Sequence, residues 1–120
     1  MKKKDYASER SAIRAYLADQ RDYINKSIRT PGDGFAEESK GLDLVRIGKD
    51  KEALVQFYIA IGKKFDAPAL YREAAVLLEK YEMYDEALYV IEKGLKAIPN
   101  ANRHRDDLIK RKEQLLKKKG

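Results

Sequence analysis

Small and large apolar side chains recur in this chain at a spacing of 34 residues, and that recurrence restricts the fold more than any other feature. Gly41 falls on Ala75, Ala53 on Ala87 and Ala60 on Gly94. Between these positions Leu44 falls on Leu78, Leu54 on Leu88, Phe57 on Ile91 and Ile61 on Leu95. Two antiparallel helices approach closely only where a side chain is tiny, and bulky side chains fill the gaps on either side. A repeat of this length therefore reads as one helical hairpin per copy.

Proline and glycine mark where the helices stop. The breaks fall at Pro31-Gly32-Asp33-Gly34, Gly48-Lys49-Asp50, Asp66-Ala67-Pro68, Glu82-Met83-Tyr84-Asp85 and Ile98-Pro99-Asn100. Six segments lie between them. Residues 5–29 read as one long N-terminal helix, with Ile13, Leu17, Ile24 and Ile28 on a single stripe and Tyr16 and Tyr23 beside it. Residues 34–67 and 68–101 read as two hairpins. Residues 102–119 read as a basic capping helix, whose stripe of Leu108, Ile109, Leu115 and Leu116 seals the end of the stack. Pro68 suits a first helical turn, where its missing donor is not needed. Pro99 follows a helix it cannot continue, and Asp85 is expected to cap the helix that follows it. No segment alternates, so no sheet is expected. The expectation is one all-α domain over residues 1–120: about six helices, with antiparallel hairpins stacked as a short solenoid.

The hairpin over residues 68–101 resembles the tetratricopeptide repeat. Tyr71 stands at the family's early aromatic position, Ala75 at its small position and Leu78 where an aromatic is common. Tyr84-Asp85-Glu86-Ala87-Leu88 looks like the family's turn and second-helix start; Ile91, Gly94 and Pro99-Asn100 complete the pattern. The copy over residues 34–67 keeps Gly41, Leu44, Gly48, Ala53, Phe57 and Ala60. It has Glu37 in place of the early aromatic and Phe65 in place of the terminal proline. The resemblance implies a concave groove lined by the first helix of each hairpin. That would place Glu38, Leu42, Arg46, Arg72, Val76 and Lys80 in the groove, with Lys110 on the last helix. Such a surface mixes apolar patches with cations and suits an extended or helical peptide, in particular an acidic one. Val76 and Asp107 stand where the family's carboxylate clamp would want an amide or a base, so recognition of chaperone tails is not implied.

The remaining residues narrow the functional class. There is no cysteine, so disulfides and thiolate metal sites are excluded. His104 is the single histidine, flanked by Arg103 and Arg105, with no partner to complete a metal site. Gly32-Asp33-Gly34 lacks the Gly-Lys-Ser/Thr ending of a phosphate loop. Adjacent acids such as Glu37-Glu38 and Asp106-Asp107 point to different helix sides and do not form a catalytic pair. No catalytic, cofactor-binding or metal-binding residue is expected, and the chain reads as a non-enzymatic binding scaffold.

The net charge of +6 is concentrated at the ends, in Lys2-Lys3-Lys4 and from Arg103 onward, while the body between is mildly acidic. Nucleic acid or an anionic surface is the alternative partner for those ends, although short lysine-rich tails more often simply solubilise. A homodimer through the long first helix is a third reading. Tyr58 and Tyr89 fit either edge packing or exposed anchors at a contact surface. No apolar run nears the ~20 residues of a membrane span, and no apolar segment follows Met1, so a cytoplasmic protein is the default expectation.

Overall fold

The computed structural model describes residues 5–100 and 102–119. Its helices are α1 (Ala7–Asp19), α2 (Arg21–Ile28), α3 (Phe35–Arg46), α4 (Asp50–Gly62), α5 (Pro68–Lys80), α6 (Tyr84–Ala97) and α7 (Arg105–Lys119). No strand occurs among the described residues. α3 packs on α4 and α5 on α6, each pair joined by a tight turn. α4 packs on α5, α6 on α7, and α1 and α2 both lie against α4. Lys2, Lys3, Lys4, Ala101 and Gly120 lie outside the described residues, so the expectations that fall on them have no structural counterpart here.

The 34-residue shift governs the backbone as well as the side chains. α3 ends at Arg46 and α5 at Lys80; α4 begins at Asp50 and α6 at Tyr84. In the first turn the Lys49 amide donates to the Leu44 carbonyl at 2.9 Å, and in the second Met83 donates to Leu78 at 3.0 Å. Both turns pass through the left-handed region at equivalent residues, Gly48 with φ 78° and Glu82 with φ 58°. The first is the glycine usual at this position, while the second holds a side chain in a conformation that disfavours one.

The small residues sit at the helix crossings. Ala53, Ala60, Ala75 and Ala87 are fully buried. A Cβ added at Gly41 would stand 2.5 Å from Cε1 of Phe57. One added at Gly94 would stand 2.7 Å from Cγ of Tyr71 and 3.0 Å from Cδ1 of Leu108. Phe57, Tyr71, Leu78, Ile91, Leu108 and Leu115 are buried in one apolar cluster that runs through both hairpins into α7.

Three local expectations are corrected. First, the long N-terminal helix is two helices that meet at Gln20. A rod of their combined length would run about 33 Å, whereas α4 is about 20 Å long. The break lets Ile13 of α1 reach the core and Ile28 of α2 abut Gly62 of α4. The N-terminal segment thus lies across α4. α4 is accordingly buried on almost every side, with Val55 and Ile59 covered, while the equivalent α6 residues Tyr89 and Lys93 are exposed. Second, Asp85 does not cap α6, since the cap position is Met83 and no side chain bonds the free amides. The Asp85 carboxylate pairs with Lys119 instead. Third, α7 starts at Arg105, not at residue 102. Arg105 is held back by its bonds to the carbonyls of Leu95 and of Ile98, the latter at 3.0 Å, which satisfy the end of α6.

The crossing at Gly94 has no room to yield, because Tyr71 and Leu108 are both buried. Overpacking costs about 1–3 kcal/mol, against the roughly 1 kcal/mol that alanine gains over glycine in a helix. Gly94→Ala is expected to destabilise the chain by about 1 kcal/mol in denaturant unfolding. Lys64, exposed with φ 61° at the end of α4, gives the opposite expectation: Lys64→Gly raises stability by about 1 kcal/mol.

Candidate functional site

The seven residues expected to line a groove do not share one environment. Arg72 and Lys110 come together at a cleft of about 270 Å³ between α5 and α7, which Asp107, Arg111 and Gln114 also line. Val76 lies one turn along α5 from Arg72 and is 43% exposed. The nearest acid to Arg72 is its neighbour Glu73, at a loose 3.7 Å. Arg46 is exposed and bonded to Asp43 of its own helix at 2.8 Å. Leu42 is half-buried against the core.

Lys80 is tied down elsewhere. Its ammonium meets the buried carboxylate of Asp50 at 2.9 Å, and the Tyr81 hydroxyl donates to the same oxygen. Asp50 opens α4, where the free amides favour a negative charge. The trio therefore joins the end of α5 to the start of α4. The Lys80 pKa is raised by its hydrogen bond to Asp50, and that of Tyr81 by burial and then by its own hydrogen bond to Asp50.

Glu38 is the residue that sequence reasoning placed least well. It is only 8% exposed, and its Oε2 has no hydrogen-bond partner. Burial raises its carboxyl pKa above the ordinary value. The helical period assigned it to the right helix but gave no measure of its depth.

The basic C-terminal helix has spent much of its charge on its own neighbours. Arg111 meets Glu79 at 2.8 Å and Lys112 meets Glu92 at 3.0 Å. Lys119 pairs with Asp85, and the Lys118 ammonium lies 5.8 Å from the Tyr84 ring centre. His104 is exposed in the turn before α7.

A larger cleft, of about 640 Å³, opens between α2, α4 and α6. Ile24, Ile28 and Ile61 make its apolar wall, and Tyr58 and Tyr89 its aromatic one. Tyr58 is half-buried and Tyr89 is 53% exposed. Lys64, Lys93 and Lys96 stand at its edge. Sequence reasoning singled out both tyrosines but missed the cleft. The available signal was the shift itself: Val55, Ile59 and Gly62 become Tyr89, Lys93 and Lys96 one repeat later.

The chain matches no protein-family model, no curated protein and no solved structure.

The Glu38 carboxyl yields a pH-dependent expectation. Its folded pKa lies above the ordinary 4.5, so the folded chain binds the proton more tightly than the unfolded chain. The protonated form contributes stability that is fully present below pH 4.5 and is lost as pH rises through the folded pKa. Glu38→Gln keeps the shape and removes the charge. It is expected to raise stability at pH 7 by about 1 kcal/mol, to do progressively less as pH falls through the folded pKa, and to make no further difference below pH 4.5. Denaturant unfolding across that range checks both the sign and the slope.

Proposed function

We propose that this chain is a small tetratricopeptide-like interaction module that holds an acidic protein segment against α5 and α7. The observation that carries the reading is the Arg72–Lys110 cleft with exposed Val76 beside it. Lys110 forms no ion pair with the described residues, and Arg72 has only the loose Glu73 contact. An acidic side chain from a partner would find two under-used cations, and an apolar one would cover Val76. The equivalent turns and buried small residues of the two hairpins support the family resemblance. Arg46, Lys80 and Glu38 are engaged or buried, so the proposed contact surface is narrower than the full seven-residue groove. Binding of nucleic acid through α7 is the weaker reading, because Arg111, Lys112 and Lys119 already face carboxylates.

The test is affinity capture from the native cell followed by mass spectrometry, with wild type and Arg72→Glu/Val76→Glu side by side. The reading expects a partner that the double variant captures at least about tenfold less, with unfolding stability within about 0.5 kcal/mol of wild type. Equal capture by the folded variant removes this surface from consideration.

A further inference from the structure

The cleft between α2, α4 and α6 shares no residue with the α5–α7 surface. It arises because the cover over the second helices is incomplete. α1 and α2 lie along α4 and end at Ile28, beside Gly62. α6 has no equivalent cover, so Tyr89, Lys93 and Lys96 remain exposed where the covered repeat carries Val55, Ile59 and Gly62. The result is a recess with helices on three sides.

Its chemistry is one-sided in charge. Lys64, Lys93 and Lys96 form no ion pair with the described residues, and Lys93 sits 5.3 Å from the Tyr89 ring centre, at the mouth. Glu86, whose charge reaches Tyr58, is held by a two-pronged contact from Arg14 at 2.7 and 3.1 Å, while the charge of Asp66 reaches Tyr71 at the cleft wall. The half-buried Tyr58 hydroxyl forms no hydrogen bond with the described residues, and burial raises its pKa, so it remains a neutral donor at physiological pH. The volume of about 640 Å³ lies within the usual range for small-molecule sites.

We propose that this cleft is a binding site for a small amphipathic carboxylate, its apolar body against Ile24, Ile28 and Ile61 and its acid group among Lys64, Lys93 and Lys96. Tyr89 closes over the body, and the Tyr58 hydroxyl is a further donor. The pairing is one of charge complementarity around an apolar floor.

The experiment is a titration of the whole isotope-labelled chain with dodecanoate, kept below its micelle concentration and followed by amide NMR. Dodecyltrimethylammonium, of the same chain length and opposite charge, serves as the control. The expected result is saturable shifts clustered at Tyr58, Gly62, Tyr89 and Lys93, with little response to the cation. Lys93→Glu/Lys96→Glu alters exposed positions only. It is expected to weaken dodecanoate binding at least about tenfold with unchanged helicity, and Tyr58→Phe to weaken it about fivefold. Val76→Glu is expected to bind as wild type, which separates this site from the α5–α7 surface. No saturable shift, equal binding of the cationic amphiphile, or shifts centred on α5 and α7 would each overturn the proposal. So would an acidic amphipathic peptide that displaced dodecanoate at much lower concentration, which would make the cleft a protein-docking site.

Discussion

The Phe57 ring rests directly against the backbone of Gly41, and the Tyr71 ring against that of Gly94. Each contact sets how closely the two helices of its hairpin can approach. The large residue fills the space that the missing side chain leaves, and neither is useful without the other. Once that approach is set, the rest follows from geometry. The turns are short enough to pass through Gly48 and Glu82, Asp50 comes within reach of Lys80 and Tyr81, and Leu108 of α7 finds its seat beside Gly94. The Tyr71 hydroxyl, donating to the Phe65 carbonyl, closes the same contact from its other end.

The hairpins were legible in the sequence because their signal is local and repeated. A helix crossing demands a small residue at a defined place, and two copies 34 residues apart record the demand twice. The N-terminal segment was less legible because nothing in it repeats. Its apolar stripe from Ile13 to Ile28 is continuous in the helical period, and Gln20 is neither proline nor glycine. The break there is imposed by the length of α4, a tertiary constraint that a stripe does not express. One trace of it was present. α4 has apolar residues on faces where α6 has polar ones, and a helix apolar all round has to be covered by something. The candidate surface was legible only in part for the same reason. Period and resemblance assign a residue to a face, but depth depends on neighbours, which bury Glu38 and leave Val76 open.

Charge followed a similar pattern. Net charge by segment made the last helix look like an electrostatic arm. In the fold, three of its cations, Arg111, Lys112 and Lys119, are matched to carboxylates on α5 and α6. These surface pairs individually add little stability, but they orient α7 along the stack and reduce the field it presents to solvent. The mildly acidic body and the basic end are therefore complementary parts of one structure. Lys110 beside Arg72, and Lys64, Lys93 and Lys96 around the larger cleft, are among the described cations that face no carboxylate.

That distribution bears on where a chain of repeated hairpins acquires function. Positions held by the repeat are occupied with packing and are not free to vary. Function has to reside where the two copies differ, and here the difference has a physical origin. The N-terminal helices cover one copy and stop, and α7 covers the other copy on a different side. Each cover creates an edge, and each edge exposes residues that its counterpart buries. Arg72 with Lys110 marks the edge made by α7. Tyr89 with Lys93 and Lys96 marks the edge made by α2. A longer α2 covering α6 as α4 is covered would leave Tyr89 and Lys93 nothing to face but protein, and apolar residues such as Val55 and Ile59 would then be favoured at those positions instead. The polar residues present at these positions in α6 are what an uncovered edge requires.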